Sequence, residues 1–581
     1  MLFSAVVALV VVLFSIPGAH GVAHGLLRRH LPETKDAVAC HRHFSATDFP
    51  HCAVLQNDTY VLHWNSNDTH ITFGIAAKTT GTETAYVALG LSTESMGMKN
   101  MDVAMISYDA SDGFKIDDQF STDYAPPVSD KDQNKTLLSA MWSPGGMLFI
   151  GSFVMPINSS DKDHDVTLDP TRWTYVMWAI LQDGGYHGSL RGSTRLPLLL
   201  QHPQDADEEA VPVPTDAFHY TIQLPPMPFP TTRTTYMCII KKAPADTKYH
   251  VYGARLIGEG RGVVHHNDLY LLNGDHPPPY PVDVPYDCTK DVAGNYGMLM
   301  YESTHQVFTS PPSKTYQTVD AALPVGKGFA EYMMLEVHFE NIDGTTGYHD
   351  AIGYNLTLSP TLRKHDVGVM VLGAGTTNPN VNITSALAIP PGLEKFDYFD
   401  YCPRRCTRRL LPDKVNILFL RLHMHVLGQS MEVSVLRGGN SSRRETIASL
   451  RHYDFTNQQG MGFWPPGLPL TAGDSLVTRC TYDSSSKNTT TKWGLSGTVD
   501  EMCFSFVYYY PAPNGTFACF DMRNVSSNGL TFLRQNHLSV DYGFCATSRE
   551  YQNATSAGDP GDFESQVFMN GIMQSIESDE L

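Results

Sequence analysis

What most restricts the fold of this chain is a succession of short apolar runs with two-residue alternation, cut by Gly, Asp and Asn. Thr59–Trp64, His70–Ala77, Ala85–Leu91, Val103–Tyr108, Leu148–Val154 and Thr174–Leu181 read as strands at the spacing of a β-sandwich. Further on, Leu335–Phe339, Val415–His425, Met431–Leu436, Ser475–Tyr482 and Met502–Tyr510 read as buried strands. Helical 3.6-residue periodicity is scarce, so the fold class expected is all-β. A length of 581 residues suggests three or four domains.

Residues 1–21 hold an apolar run, Leu2 to Ile16, followed by Pro17-Gly18-Ala19, and read as a cleaved signal peptide. No later run reaches the roughly 18 apolar residues of a membrane-spanning helix. Behind a signal peptide, ten cysteines read as five disulfides. Eleven N-x-[ST] sequons fit a glycoprotein of the secretory pathway. The terminal Ser-Asp-Glu-Leu581 resembles a retrieval signal, which points to the endoplasmic reticulum lumen, with secretion as the rival. A net charge of −19 argues against nucleic acid and anionic membrane surfaces as partners. A homo-oligomer is compatible with the sequence, which does not fix the oligomeric state.

The boundaries expected are a leader at 22–49, a first domain at 50–200 and a linker at 201–216 around the acidic, proline-bearing stretch Pro203 to Pro214. Two further β-rich domains follow at 217–375 and 376–548, then an acidic tail at 549–581.

Within Val415–His425 stands an H-x-H pair, His423 and His425. On a strand, residues i and i+2 face one way, so both imidazoles can reach one ion. A second set, His265, His266 and His338, lies upstream in an equally apolar context, and Met502 opens another strand pattern. Imidazoles with a thioether form a soft donor set suited to copper, Cu(I) above all. Adjacent histidines on a regular strand face opposite ways, so His265 and His266 need a bulge to converge. Taken singly, each histidine reads as well as a satisfied core residue.

Residues 50–200 resemble a DOMON domain in the Trp64 strand, in Tyr86-Val-Ala-Leu-Gly-Leu91 and in Met98-Lys-Asn-Met-Asp-Val-Ala-Met105. Some DOMON domains bind haem through Met and His. Met98, Met101, Met105, His164 and His187 are the residues available for it, but haem is not the expectation here, because core packing is the commoner role of such methionines.

From Tyr236 to Cys545 the chain resembles the ascorbate-dependent type II copper monooxygenases. The motifs, in order, are Tyr236-Met-Cys-Ile-Ile-Lys241, Val264-His-His-Asn267, Leu335-Glu-Val-His-Phe339, Ala388-Ile-Pro-Pro391, Tyr401-Cys-Pro-Arg-Arg-Cys406, His423-Met-His425, Cys480-Thr-Tyr-Asp483 and Glu501-Met-Cys503. With the DOMON region, the layout is that of the dopamine β-hydroxylase and monooxygenase X branch. The resemblance implies a DOMON β-sandwich followed by two jelly-roll-like β-sandwich copper domains, two copper ions per chain, and ascorbate as electron donor. It implies that His265, His266 and His338 hold the electron-transfer copper. His423, His425 and Met502 would hold the copper at which dioxygen hydroxylates an activated C–H bond. It also implies the disulfides Cys238–Cys288, Cys402–Cys519, Cys406–Cys545 and Cys480–Cys503. Cys40 and Cys52 are expected to pair with each other. The family's further disulfide after the His-His motif has no counterpart, since Asn267-Asp-Leu-Tyr270 stands there.

For the substrate the residues divide. Glu336, on the face of His338, matches the dopamine-hydroxylating branch and suits a cationic amine. Arg421 matches the carboxylate-binding arginine of the amidating branch, or serves as the structural partner of an acid. Phe504 and Phe506 replace the amidating branch's other carboxylate contacts, and Tyr508, Tyr509 and Tyr510 are candidates to line a pocket. The expectation is a small aromatic or hydrophobic amine-like substrate, with Glu336, Arg421 and Tyr509 as binding residues. The alternatives are peptidylglycine-type hydroxylation, a zinc hydrolase using the H-x-H pair and one more histidine, and a non-enzymatic secretory binding protein with vestigial copper sites.

Overall fold

The structure, a computed structural model, describes most of residues 40–547; the longest internal stretches outside the description are 182–189, 200–212, 309–318, 374–386 and 521–543. The expected signal peptide, the acidic part of the linker, His187, and the tail with its Ser-Asp-Glu-Leu lie outside the described residues. Strands dominate, and no described helix is long and apolar enough to cross a membrane.

The amino-terminal unit packs a five-stranded antiparallel sheet, His51–Leu55, Tyr60–Ser66, His70–Lys78, Leu148–Pro156 and Thr136–Trp142, against a six-stranded one centred on Tyr86–Ser92 and Met101–Asp109. Tyr60, Phe73, Val87, Phe153 and Trp178 meet between them as one core. The β-sandwich expected of this region is what forms. Met98, Met101 and Met105 sit in a cluster with Tyr175 and Met177, and a Cβ at Gly90 would strike Met101 Sδ, so the glycine makes room for that side chain. His164 is turned to Asp161, its Nδ1 3.0 Å from Asp161 Oδ2.

In the second unit, β1 (Thr234–Lys242) and β2 (Val264–Leu272) flank β3 (Tyr332–Glu340) in a six-stranded sheet, which packs on a five-stranded one. In the third, β4 (Gly368–Gly373) and β5 (Lys414–Met424) flank β7 (Cys503–Tyr510), and β6 (Ser475–Tyr482) lies in a facing four-stranded sheet. Since β4 pairs only within the third unit's sheet among the described strands, the chain has crossed into that unit before residue 375.

The alternation of β5 changes phase where its pairing with β7 shifts between Ile417 and Phe419. Val415, Ile417, Leu420, Leu422 and Met424 enter the third unit's core, while Phe419, Arg421 and His423 face the other way. Each buried aliphatic contributes roughly 2 kcal/mol, so a one-residue slip, which would turn this set outward, is strongly disfavoured. The shift, with the alternation that follows it, aims His423 out of the core. The expected strands over Val415–His425 and Met502–Tyr510 are one residue shorter at the site end, leaving His425 and Met502 just beyond the ladder.

Disulfides Cys40–Cys52, Cys238–Cys288, Cys402–Cys519 and Cys480–Cys503 pair as expected. For the pair expected between Cys406 and Cys545, the side chain of Cys545 lies outside the described residues.

Candidate metal centres

His265 and His266 sit on β2, and His338 on β3 directly opposite His266. The pairing register shifts between Val264 and His266, making His265 the extra residue of a bulge. The bulge turns His265 to the same side as its neighbour, as the adjacent pair requires. The three rings converge: their ligand atoms lie within 4.8 Å of one another, with ring centroids 4.8 to 5.1 Å apart. His265 Nδ1 and His266 Nδ1 are 3.0 Å apart. Tyr236 of β1 stacks on His338 at 4.2 Å, its plane 8° from parallel.

All three histidines are buried, and neither ring nitrogen of His338 has a hydrogen-bond partner among the described residues. Burial, with the neighbouring imidazoles, holds His266 well below its ordinary pKa. Buried imidazoles whose nitrogens converge on one point are what a metal ion requires of its ligands. Three nitrogen donors without a carboxylate ligand fit copper.

In the second set, the rings of His423 and His425 are 5.2 Å apart and nearly perpendicular. His425 Nδ1 lies 3.0 Å from the carbonyl oxygen of Asp500, which leaves Nε2 as the donor nitrogen. Burial pushes the His425 pKa down to about 4, against the opposing pull of that hydrogen bond. The ladder of β5 and β7 ends on Met424 opposite Cys503, so Met502 stands one step further, across from His425.

Glu501 fixes this corner. Its carboxylate accepts hydrogen bonds from the backbone N–H groups of His425 at 2.8 Å, Leu427 at 2.6 Å and Met502 at 3.3 Å. It is fully buried, and desolvation pushes its pKa up to about 7 against those three donors. Two buried tyrosines hold the backbone on either side. Tyr453 Oη accepts from Met424 N at 2.9 Å and donates to Met424 O at 2.7 Å, and Tyr482 Oη donates to Met502 O at 2.7 Å. Glu501 precedes Met502 in the sequence, but its use as a backbone clasp leaves no mark in composition or spacing. Tyr453 gave no signal at all.

The two sets lie close. Phe455 stacks on His265 at 5.1 Å and stands 5.8 Å from His425, so one ring touches both. Below the first set, Asp268 and Glu336 face each other across β2 and β3, on the side carrying His266 and His338. Their carboxylates come within 4.8 Å of a His266 nitrogen and of each other. Burial pushes Asp268 up to about 6, and the positive charge of Arg421 pulls it back. Arg421 is buried, with its guanidinium 5.4 Å from the Phe506 ring. Asp268 was not singled out in the sequence, though it lies two residues beyond His266 on the same face.

The binding role expected of Tyr509 is not met. Its side chain points into the third unit's core with Ile417, Leu420 and Val507, fully buried. The alternation of β7 instead turns Phe504, Phe506 and Tyr508 to the face of Arg421 and His423.

Comparison with known proteins agrees with this arrangement. Residues 220–346 match the copper type II ascorbate-dependent monooxygenase N-terminal domain, residues 365–529 its C-terminal domain, and residues 56–181 the DOMON domain. A tyramine beta-hydroxylase of Caenorhabditis briggsae is 29% identical over 300 residues, which are 49% of this chain and 47% of that protein. DBH-like monooxygenase protein 1 of Gallus gallus is 26% identical over 498 residues, 81% of this chain and 75% of its own length. Dopamine beta-hydroxylase of Rattus norvegicus is 26% identical over 422 residues, 71% and 65% of the two chains.

Proposed function

This chain belongs to the copper type II ascorbate-dependent monooxygenases, and from that premise we propose that it hydroxylates a small aromatic or hydrophobic amine with dioxygen. In this reading His265, His266 and His338 hold one copper, and His423, His425 and Met502 hold the other. Bound copper would pass on electrons taken singly from ascorbate and activate dioxygen, so that two electrons and two protons send one oxygen atom into a C–H bond and the other into water.

The chain's own residues supply the rest. Hydrogen bonding of His425 Nδ1 to Asp500 O fixes which nitrogen is offered to the metal. Phe455 and the aromatic face of Phe504 and Phe506 would exclude water and pack an apolar substrate. Glu336 and Asp268 would meet an ammonium group. What favours the amine over a carboxylate substrate is the buried carboxylate pair of Asp268 and Glu336, set beside His266.

Secretory residence is part of the same proposal, in the endoplasmic reticulum lumen or outside the cell, and a catalytic role for the DOMON domain is not. The test is metal analysis together with ascorbate-dependent oxygen uptake across phenethylamines and glycine-extended peptides. Two coppers per chain and turnover of an amine are expected. One zinc without copper, or turnover of the peptides alone, would overturn the reading.

A further inference from the structure

Four of the five residues past Leu450 tie the amino-terminal domain to both histidine sets. Arg451 N and Nε donate to the two carboxylate oxygens of buried Glu94, at 2.8 and 2.6 Å, and Arg451 Nη1 donates to Lys162 O at 2.9 Å. Next to it, His452 N donates to Asn100 Oδ1 at 2.9 Å while Asn100 Nδ2 donates to His452 O at 2.8 Å. Asn100 thereby answers both polar groups of one backbone unit, as a neighbouring strand would. It does so from a left-handed conformation, φ +61°, that asparagine tolerates better than most residues.

Then the chain turns inward. Tyr453 grips both backbone groups of Met424, the residue between His423 and His425, and Phe455 lies between His265 and His425. At most about 3.6 Å of backbone per residue separates Arg451 from Phe455, so the contacts with the amino-terminal domain and with the histidine sets are close along the chain. Further along, Tyr175 donates to Gly460 O, Arg172 Nη2 donates to Ile447 O at 3.2 Å, and its guanidinium covers the Phe463 ring. Both ends of the segment are thus seated on the same domain.

We propose that the amino-terminal domain is a positioning element for the metal cleft: Glu94 and Asn100 fix residues 451–452, and through them Tyr453 and Phe455 set the placement of His425 and His265. The proposal rests on the copper reading for its consequence but not for its mechanics. Glu94 and Asn100 touch neither histidine set, so they act only through Tyr453 and Phe455. A merely adhesive contact would stabilise the pair of domains without altering the cleft.

The experiment uses the full chain carrying Glu94→Gln with Asn100→Ala, and separately Asn100→Asp, which keeps the acceptor for His452 N and is the milder change. Backbone hydrogen exchange of the metal-free protein is read at 424–427 and 447–455, with Tyr60–Ser66 as an internal reference strand. Copper-loaded protein is read by the electron paramagnetic resonance of Cu(II) and by metal stoichiometry. Exchange at least tenfold faster at Met424 and Leu427, with altered Cu(II) hyperfine splitting at unchanged stoichiometry, is the expected result. Faster exchange confined to 447–453, with Met424, Leu427 and the Cu(II) spectrum as in the parent, would overturn the proposal. A parent that takes up no copper would sink the copper reading instead, and the exchange comparison would still decide the clamp. Should the double variant fail to fold, the same two outcomes are read from Asn100→Asp.

Discussion

Tyr236 lies face to face on His338, ring centroids 4.2 Å apart, while His338 Nε2 stands 3.4 Å from Glu340 Oε2. Burial and the nearby Glu336 hold the phenol protonated. The stack and the Glu340 carboxylate together bear on the orientation of the imidazole.

Tyr236→Phe keeps the stack and is expected to leave copper content near two per chain. Tyr236→Ala removes it, with a stability loss of about 3 kcal/mol from the vacated space and roughly tenfold weaker binding of one copper. Urea midpoints and copper titration measure both. His338→Ala should reduce copper to about one ion per chain; retention of two would exclude His338 as a ligand.

Met502→Ala removes a half-buried side chain one step past the ladder of β5 and β7. Product formation should vanish while the circular dichroism spectrum is kept. The spectrum of Cu(II) should change little, since a thioether is a weak ligand to that oxidation state, whereas affinity for Cu(I) should fall. Undiminished turnover would contradict the ligand assignment.

Glu501→Ala would leave the N–H groups of His425, Leu427 and Met502 without their shared acceptor. An unsatisfied buried donor costs about 1–3 kcal/mol. A loss of several kcal/mol is therefore expected in chemical denaturation, together with loss of the copper at His423 and His425. A neutral effect on stability would mean that the loop can reach other acceptors.

A pH effect is expected from the amino-terminal domain. Asp102 is buried beside Lys135, whose Nζ is 2.6 Å away. Desolvation pushes the carboxyl up to about 6 even though Lys135 pulls it down. Because the folded state then holds the proton more tightly than the unfolded chain, this group's contribution is fully present below about pH 4 and is lost as pH rises through about 6. Asp102→Asn should flatten that slope in thermal midpoints recorded from pH 4 to 7. Parallel curves for parent and variant would show that Asp102 does not titrate in this window.

The sequence by itself determined the all-β class, which follows from periodicity. The DOMON sandwich, the disulfides Cys238–Cys288, Cys402–Cys519 and Cys480–Cys503, and the two groups of candidate ligand side chains were legible through ordered motifs that resemble a known family. The adjacency of His265 and His266 alone requires a bulge, whereas His423 leaves the core only because the pairing of β5 with β7 shifts between Ile417 and Phe419. Tyr509 shows the limit: three consecutive tyrosines look alike in a string, and only the pairing of β7 with β5 decides which of them enters the core.

What tertiary structure decided is everything that joins residues remote in sequence. Glu501 clasping His425, Tyr236 stacking on His338, Phe455 standing between His265 and His425, and Glu94 holding Arg451 are each made by one side chain reaching across a fold. No local pattern encodes such a reach, because a hydrogen bond or stack constrains distance in space and leaves the intervening chain free. The candidate ligands could be read from the string; the frame that aims them exists only once the sheets have closed around it.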